Sequence, residues 1–259
     1  MNKENHRTTS RVIEILTLVA NSSNGLSLTD LAEKMNAPKS SIYPILKTLS
    51  NYNFLNYDQI NFTYSIGYKA FEIGNAYLNN FDIMEEIKNS MTNIVNVCSE
   101  TCHYAILIEG DVLYLQKIDS PEPIRMFSNI GKRMPAYGTG LGKALLMDHD
   151  LEQLRKLYPN GLKKLTKNTA STVEELHEQL KFARVEGFAY EVEESNEYIR
   201  CIAVPIRKNG KIVSALSVAI PTFRYTDEKG ELIKHLLKNE KLKIEKLLEQ
   251  HPTSSMKYY

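Results

Sequence analysis

Three glycines at alternate positions, Gly138, Gly140 and Gly142, lead into a helical run over Lys143–Met147. Glycine lets the backbone approach a ligand closely, and free amides at the start of a helix point toward it, so an anion such as a carboxylate suits this segment. A tight packing corner explains the same glycines equally well. The segment is not a nucleotide-binding fingerprint, because it lacks the P-loop spacing and no strand with GxGxxG precedes it.

Cys98, Cys102 and His103 are residue types that bind metals or carry redox chemistry. No second ligand cluster of the usual spacing appears, so we interpret the three as packed side chains. An enzyme that uses Cys98 or Cys201 as its nucleophile is the alternative from another functional class. It needs a base beside the thiol, and Cys102 and His103 point to opposite faces if both lie in one strand.

A second group of polar residues lies in the stretch Leu26–Asn51. Apolar residues recur at helical spacing on both sides of the break at 36–38, which predicts a helix-turn-helix. Ser27 and Asp30 can cap the first of its helices. On its second helix, the face opposite the apolar positions carries small donors, a phenol and ammonium groups, which suit contacts in a DNA major groove. The candidate DNA-binding residues are Lys39, Ser40, Ser41, Tyr43 and Lys47. An ordinary helical hairpin with a solvated polar face is the alternative.

Pro44 sets the expected start of this second helix. A proline in a helix interior costs about 3 kcal/mol, but in the first turn its missing donor is not needed. We therefore expect the helix to begin at Ser40 or Ser41, with that serine as its cap.

Flanking elements extend the motif. A helix over Ser10–Asn21 precedes it, and two short strands joined at 58–61 follow it, which together predict a winged helix-turn-helix. The turn of this wing holds no Lys or Arg, so Gln59 and Asn61 are its candidate DNA contacts. The next helix, Gly67–Asn80, is apolar over a wide arc, and we expect it to pack on a partner subunit. Completion of the head's own core is the alternative.

The rest of the chain mixes helices with antiparallel hairpins, which predicts an α+β sensor domain built on one sheet. A hairpin turn is predicted at Asn209-Gly210, and a long helix over Asp227–Gln250 precedes residues that look frayed. The predicted boundaries are 1–66 for a DNA-binding domain, 67–81 for a linker and dimerisation helix, 82–250 for the sensor domain and 251–259 for a flexible tail.

Composition limits the function further. The chain has 32 basic and 31 acidic residues, and residues 1–80 hold seven Lys or Arg against six Asp or Glu. This balance argues against a nonspecific polyanion binder and leaves open a winged head that binds protein instead of DNA.

No apolar run approaches the roughly 20 residues of a membrane span, and the polar start is no signal peptide, so we expect a cytoplasmic protein with no membrane partner. Three cysteines do not indicate a disulfide scaffold.

In order along nearly the whole chain, these motifs resemble the IclR family of bacterial transcriptional regulators. The matching segments are PKSSIYPILKTL, YSIG, SETCHYAILIEGDVLYL, IGKRMPAYGTGLGKALL, VEGFAYEVEESNEYIRCIAVPI and ALSVAIP. The glycine-rich segment is most similar to the KdgR-like regulators of sugar-acid catabolism. The resemblance implies a winged-helix DNA-binding domain, a GAF-like α+β effector domain that binds a small organic acid, and a homodimer or dimer of dimers.

The resemblance also implies a set of effector-binding residues. They are Gly140, Leu141, Glu191, Cys201 and Ser217. The first two offer backbone amides to the effector carboxylate. Two departures affect the pocket: the position of Glu191 is often Asp in the family, and Ala219 stands where some members have a second serine. In the recognition helix, Tyr43-Pro44 stands where many members have an Arg.

We therefore expect a transcriptional regulator, and more specifically a repressor of carbon-source catabolism, that binds double-stranded operator DNA. A small organic acid is expected to bias its effector domain between two states, and the linker helix to pass that bias to paired recognition helices. We expect no catalytic residue, metal or cofactor.

Overall fold

The computed structural model describes residues 6–79, 83–123 and 128–250, with the side chains of 77–79 excepted. The chain forms two compact units, Met1–Phe81 and Asp82–Tyr259. The predicted tail at 251–259, the end of the predicted linker helix and the side chains of Tyr77 and Leu78 lie outside the described residues. No described helix is long and apolar enough to cross a membrane.

The first unit is the predicted winged helix-turn-helix, followed by one more helix. Its three strands form an antiparallel sheet in the order β1-β3-β2, in which the two-residue β1 is an addition that the sequence did not predict. The elements are α1 Arg7–Ala20, β1 Leu26–Ser27, α2 Leu28–Lys34, α3 Lys39–Asn51, β2 Leu55–Asp58, β3 Thr63–Ile66 and α4 Tyr68–Asn79.

Apolar faces of the helices build the core of this unit, as their spacing predicts. Ile15 of α1, Leu31 of α2, and Ile42 and Leu46 of α3 are fully buried together. A capping box starts α2: Ser27 Oγ accepts from the Asp30 amide at 3.2 Å, and Asp30 Oδ2 accepts from the Ser27 amide at 2.8 Å. The box satisfies two amides that the helix itself cannot bond.

The expected start of the recognition helix is wrong. Helix α3 begins at Lys39 after Pro38, whose fixed φ of −60° is suited to helix entry, and neither Ser40 nor Ser41 is the cap. The Ser41 hydroxyl instead donates to the Pro38 carbonyl at 2.7 Å. Pro44 therefore lies in the second turn and leaves the Ser40 carbonyl without its intrahelical donor. Ser40 and Pro44 are exposed, so water can donate a hydrogen bond to the Ser40 carbonyl and reduce the free-energy cost of the proline.

The second unit is the predicted α+β domain with one sheet. Its six strands are antiparallel in the order β6-β5-β4-β9-β8-β7. The elements are α5 Met84–Cys98, β4 Thr101–Ile108, β5 Asp111–Ile118, β6 Arg133–Pro135, α6 Gly140–Leu146, α7 Leu151–Leu157, α8 Val173–Glu186, β7 Ala189–Val192, β8 Ile199–Lys208, β9 Lys211–Pro221 and α9 Asp227–Gln250.

Helices cover both faces of this sheet. On one face α5 and α9 pack against each other and against the central strands. On the other, α6 and α8 share a core with Ala105, Ala203 and Ala215, whose small side chains let the helices approach closely. The predicted hairpin turn at Asn209-Gly210 joins β8 to β9, with φ of 51° and 76°, as a two-residue turn with two left-handed positions requires.

Glu100 ties the start of β4 to the start of α9. Its side chain is fully buried, Arg224 donates to both carboxylate oxygens at 2.9 and 2.7 Å, and Lys229 donates at 2.5 Å. Both cations remain partly exposed, so only the carboxylate bears the full cost of burial.

We expect Glu100→Gln to lower the free energy of unfolding by about 2 kcal/mol, because it weakens two charge-assisted contacts to a buried group. The matched control is Glu178→Gln, which removes a solvent-exposed pair with Lys181 and should leave the free energy of unfolding nearly unchanged. Urea unfolding monitored by circular dichroism measures both. Equal stabilities for the two variants would contradict this role for Glu100.

Candidate functional site

The polar face of α3 is the first candidate surface. Lys39, Ser40, Tyr43 and Lys47 are exposed on it, with 51% of Tyr43 accessible, while Ser41 is half-buried. Lys39 Nζ donates to Thr29 Oγ1 of α2 at 2.7 Å. This contact holds one ammonium group at the junction of the two helices, where the N-terminus of α3 also favours an anion.

The wing is chemically different from this face. Asp58 Oδ1 accepts from the amides of Ile60 and Asn61, at 2.8 and 3.2 Å, and Asp58 Oδ2 accepts from the Asn61 side-chain amide at 2.7 Å. These hydrogen bonds close the turn and lower the pKa of Asp58, so the carboxylate is ionised. Asn61, one of the two polar residues expected to contact DNA from the wing, is thus engaged with Asp58.

A cavity of about 220 Å³ in the second unit is the other candidate site. It opens beside the start of α6, against the face of the sheet that α6 covers. Leu141, Glu191, Cys201 and Ser217, four of the five residues expected to bind an effector, line it. The other lining residues are His103, Tyr114, Ser128, Met134, Thr139, Ser195, Asn196, Ile199 and Ala219.

Strand register brings the lining residues of the sheet to one face. Glu191 pairs with Cys201, and Cys201 pairs with Ala219 on the next strand. Ser217, two residues before Ala219 on β9, pairs with His103 of β4. Because alternate residues of a strand share a face, these rows all point into the same cavity.

The glycine-rich entry combines packing with backbone exposure. A Cβ on Gly142 would lie 2.1 Å from the Ala136 carbonyl oxygen, so this glycine serves a tight corner. Gly140 does not line the cavity; a Cβ there would lie 3.0 Å from Cys201 Sγ. Helix α6 begins at Gly140, earlier than the expected run from Lys143, and Thr139 caps it by accepting from the Gly142 amide at 2.9 Å.

Glu191 is 3% exposed and holds the turn that follows its strand. Its Oε1 accepts from the Glu194 amide at 3.1 Å and from the amide and hydroxyl of Ser195 at 2.9 and 2.8 Å. All the hydrogen bonds that Glu191 makes to described residues use Oε1. Its Oε2 therefore remains available to a ligand in the cavity. Burial raises the pKa of Glu191 to about 7, against the lowering effect of Ser195.

A buried ion pair lies behind Glu191. Lys143 Nζ donates to both oxygens of Glu194, at 2.5 and 2.6 Å, and to the Tyr190 carbonyl at 3.1 Å. The ammonium is therefore committed to Glu194. The residues that line the cavity include no Lys or Arg within the described part of the chain.

The thiols are poor nucleophiles. Burial and the Glu191 carboxylate raise the pKa of Cys201 to about 12, and burial raises the pKa of Cys98 and of Cys102. A protonated thiol is a weak nucleophile, so the geometry disfavours a cysteine enzyme. Among the described residues, no cluster of three or more His, Cys, Asp or Glu could hold a metal ion.

Sequence reasoning missed several lining residues. His103 was interpreted only as a packed side chain, and Ser128, Ser195 and Asn196 were not singled out. Alternation along β4 places His103 on the face opposite Cys102, which is the only sequence signal that points toward the cavity. The serines and Asn196 lie outside the strands and carry no such periodic signal.

Comparison with known proteins assigns both parts of the chain to one family. The model of the IclR helix-turn-helix domain matches residues 8–59, and the model described as the bacterial transcriptional regulator IclR C-terminal matches residues 75–245. The HTH-type transcriptional regulator KdgR of Dickeya chrysanthemi is 33% identical over 205 residues, which cover 78% of this chain and 67% of that protein. The HTH-type transcriptional repressor AllR of Salmonella typhimurium is 28% identical over 235 residues, covering 88% and 86% of the two chains.

A solved structure shares the fold. It is an IclR homolog from Microbacterium hydrocarbonoxydans in complex with 4-hydroxybenzoate, with a TM-score of 0.80 and 20% identity, covering 94% of this chain and 99% of that one. The relatives are HTH-type transcriptional regulators and not enzymes, which confirms the expectation that this protein is not an enzyme. The winged head is a DNA-binding domain, and the second unit is an effector-binding domain. The chain belongs to the IclR family of bacterial transcriptional regulators.

Proposed function

We propose that this regulator is a dimeric repressor of an operon for uptake or breakdown of a sugar acid or another small carboxylate. A small organic acid in the cavity of the effector domain releases it from operator DNA, and it works in the cytoplasm, where the chromosome is accessible. The observation that carries the proposal is the small cavity lined by Leu141, Glu191, Cys201 and Ser217, in which hydroxyl, amide and carboxyl groups lie among apolar side chains.

The cavity supports a small acid by size and by donor type. Its volume of about 220 Å³ lies below the roughly 300–1,000 Å³ of pockets for drug-sized ligands. Amides in the first turn of a helix have no intrahelical acceptor, so the amide of Leu141, which lines the cavity, can donate to a carboxylate. The amide of Gly140 belongs to the same turn but lies outside the cavity lining. The Ser217 hydroxyl, on strand β9, can both donate and accept a hydrogen bond.

The linker helix α4 supports a dimer. Tyr68, Phe71 and Ile73 are 58%, 73% and 54% exposed, and large apolar side chains grouped on one helix mark an interaction surface. Two copies would present two recognition helices to the half-sites of a two-fold operator.

Control by the acid requires two states that bind it unequally. An effector with the same affinity for both states would shift nothing, however tightly it bound. We propose that the acid favours the state in which the paired α3 helices do not match the half-site spacing. Helix α4 carries the difference, because it is the segment that joins the two units.

Fluorescence anisotropy tests the proposal. The regulator is titrated against DNA from upstream of its own gene and against random DNA, at two salt concentrations, with a panel of sugar acids and keto acids. Operator binding that one acid weakens is the expected result, and the affinity should fall with salt because phosphate contacts release counterions. A regulator whose selective DNA binding no acid changes would contradict effector control by such acids.

Lys47→Ala should weaken operator binding about three- to tenfold and lower the salt dependence by about one counterion, because an exposed ammonium on the recognition face meets phosphate. Lys156→Ala, on an exposed helix of the effector domain, is the matched control and should leave both values unchanged. The anisotropy titration measures the effect. Identical salt slopes for Lys47→Ala and wild type would remove Lys47 from the DNA contacts.

Phe71→Glu should shift the regulator from dimer to monomer, because it places a charge in the proposed interface of α4. Ile60→Glu is the control: Ile60 is 86% exposed at the tip of the wing, so the same charge there should leave the dimer intact. Sedimentation velocity without DNA measures both. A Phe71→Glu protein that remains dimeric would exclude Phe71 from the dimer interface.

Acid binding should weaken as the pH rises from 6 to 8. Glu191 is mostly neutral below its pKa of about 7 and ionised above it, and the ionised form repels an anionic ligand. The charged and titratable groups around it include Lys143, Glu194, Cys201 and Tyr114, and burial keeps Cys201 and Tyr114 neutral throughout this range.

Isothermal titration of the selected acid at pH 6, 7 and 8 measures this dependence. Glu191→Gln should make the affinity nearly constant with pH, whereas the exposed control Glu197→Gln should keep the wild-type profile. A Glu191→Gln variant with an unchanged pH profile would show that another group titrates.

A further inference from the structure

One end of the effector cavity is built from groups that are neutral and polar. His103 Nε2 and Ser128 Oγ are 2.7 Å apart, and both side chains are buried. Ser217 pairs with His103 across β4 and β9, and the Tyr114 ring lies 5.3 Å from the imidazole. These four side chains all line the cavity.

These groups have unused hydrogen-bonding capacity. His103 makes its hydrogen bond to Ser128 through one ring nitrogen, and Nδ1 has no partner among the described residues. The Tyr114 hydroxyl donates to Met134 Sδ at 3.8 Å, and a thioether is a weak acceptor. A ligand oxygen that can both donate and accept would satisfy such groups better than an apolar carbon.

His103 is not suited to bind the carboxylate. Burial, with the nearby Lys117 ammonium, lowers the pKa of His103 to about 3, so the imidazole is neutral at physiological pH. A neutral ring offers one donor and one acceptor but no charge. Its chemical match is a hydroxyl group.

Ser128 is held in place from behind. Lys117 Nζ donates to the Ser128 carbonyl at 2.8 Å and pairs with Asp119 at 2.8 Å. A serine fixed through its backbone, hydrogen-bonded to a buried imidazole, is a preorganised contact that loses little entropy when a ligand binds.

The two ends of the cavity are built on different strands of the sheet. One strand, β9, lies between β4 with His103 and β8 with Cys201, so the two backbones are about 10 Å apart at about 4.8 Å per strand. Gly140, which packs against Cys201, belongs to the carboxylate end. A chain of several carbons can therefore place its carboxylate at one end and a hydroxyl at the other.

We propose that His103 and Ser128 determine effector specificity by selecting an acid that carries hydroxyl groups away from its carboxylate. The inference rests on the proposed function, since it takes the cavity as the effector site, and it narrows the ligand to hydroxylated acids over apolar or unsubstituted ones. Removal of either side chain should lower the preference for hydroxyl groups and leave carboxylate binding intact.

Gluconate and hexanoate test this inference, because they share a carbon chain and differ only in hydroxyl groups. Isothermal titration measures both affinities for the full-length wild type, His103→Phe and Ser128→Ala. Ser214→Ala is the matched control: the Ser214 hydroxyl is buried without a hydrogen-bond partner among the described residues, in the same sheet but outside the cavity lining. Hexanoate binding also reports that each variant is folded.

The wild type should prefer gluconate, and His103→Phe should lower gluconate affinity about three- to tenfold, the effect of one hydrogen bond, with hexanoate affinity within twofold. Ser128→Ala should act in the same direction, and Ser214→Ala should change neither affinity. Equal losses for both acids, or a wild type that binds hexanoate as well as gluconate, would overturn the inference while leaving an acid-binding regulator. If the wild type bound neither acid, the inference would be overturned, and the panel titration would decide the proposed function separately.

Discussion

One wall of the effector cavity depends on a buried ammonium group that pairs with only one of two neighbouring buried carboxylates. Lys143 is committed to Glu194 and to the Tyr190 carbonyl, and Glu191 forms no ion pair with any other residue that the structure describes. Its Oε1 is satisfied by Ser195 and by the Glu194 amide. Charge left in a low-dielectric interior favours the protonated acid, which explains why the pKa of Glu191 rises to about 7. The same contacts fix the turn after β7 against α6, and thereby shape one wall of the cavity.

A regulator gains from such an arrangement. Among the described residues, the cavity lining offers amide, hydroxyl and neutral imidazole groups and no Lys or Arg. In the proposed function, recognition of an acid therefore depends on the geometry of hydrogen bonds. Unpaired polar groups in a buried site penalise a ligand that cannot bond them, and this gives discrimination between similar acids. The Glu191 turn also joins the cavity to α6, so a ligand that moves the turn changes the packing of the core beneath it.

Local patterns predicted much of this fold. The capping box of Ser27 and Asp30, the Asn209-Gly210 turn and the bounds of α9 follow from residues within a few positions of one another. The predicted start of α3 was wrong because the prediction placed Pro44 in the first turn, whereas the helix begins directly after Pro38. Pro44 is tolerated in the second turn because it lies on the exposed side of the helix. The cavity was predicted only where the family resemblance supplied residues. His103, Ser128 and Asn196 come together through strand pairing and loop packing, which one sequence does not encode locally.

The central claim is that an acid in the effector cavity and an operator on the winged head affect each other's binding. Calorimetric titration of the selected acid into free regulator and into regulator saturated with operator DNA tests this directly, because a coupling free energy is reciprocal. The account predicts that operator DNA lowers the acid's affinity by the same factor by which the acid lowers operator affinity. An acid that binds free and operator-bound regulator with equal affinity would contradict the account.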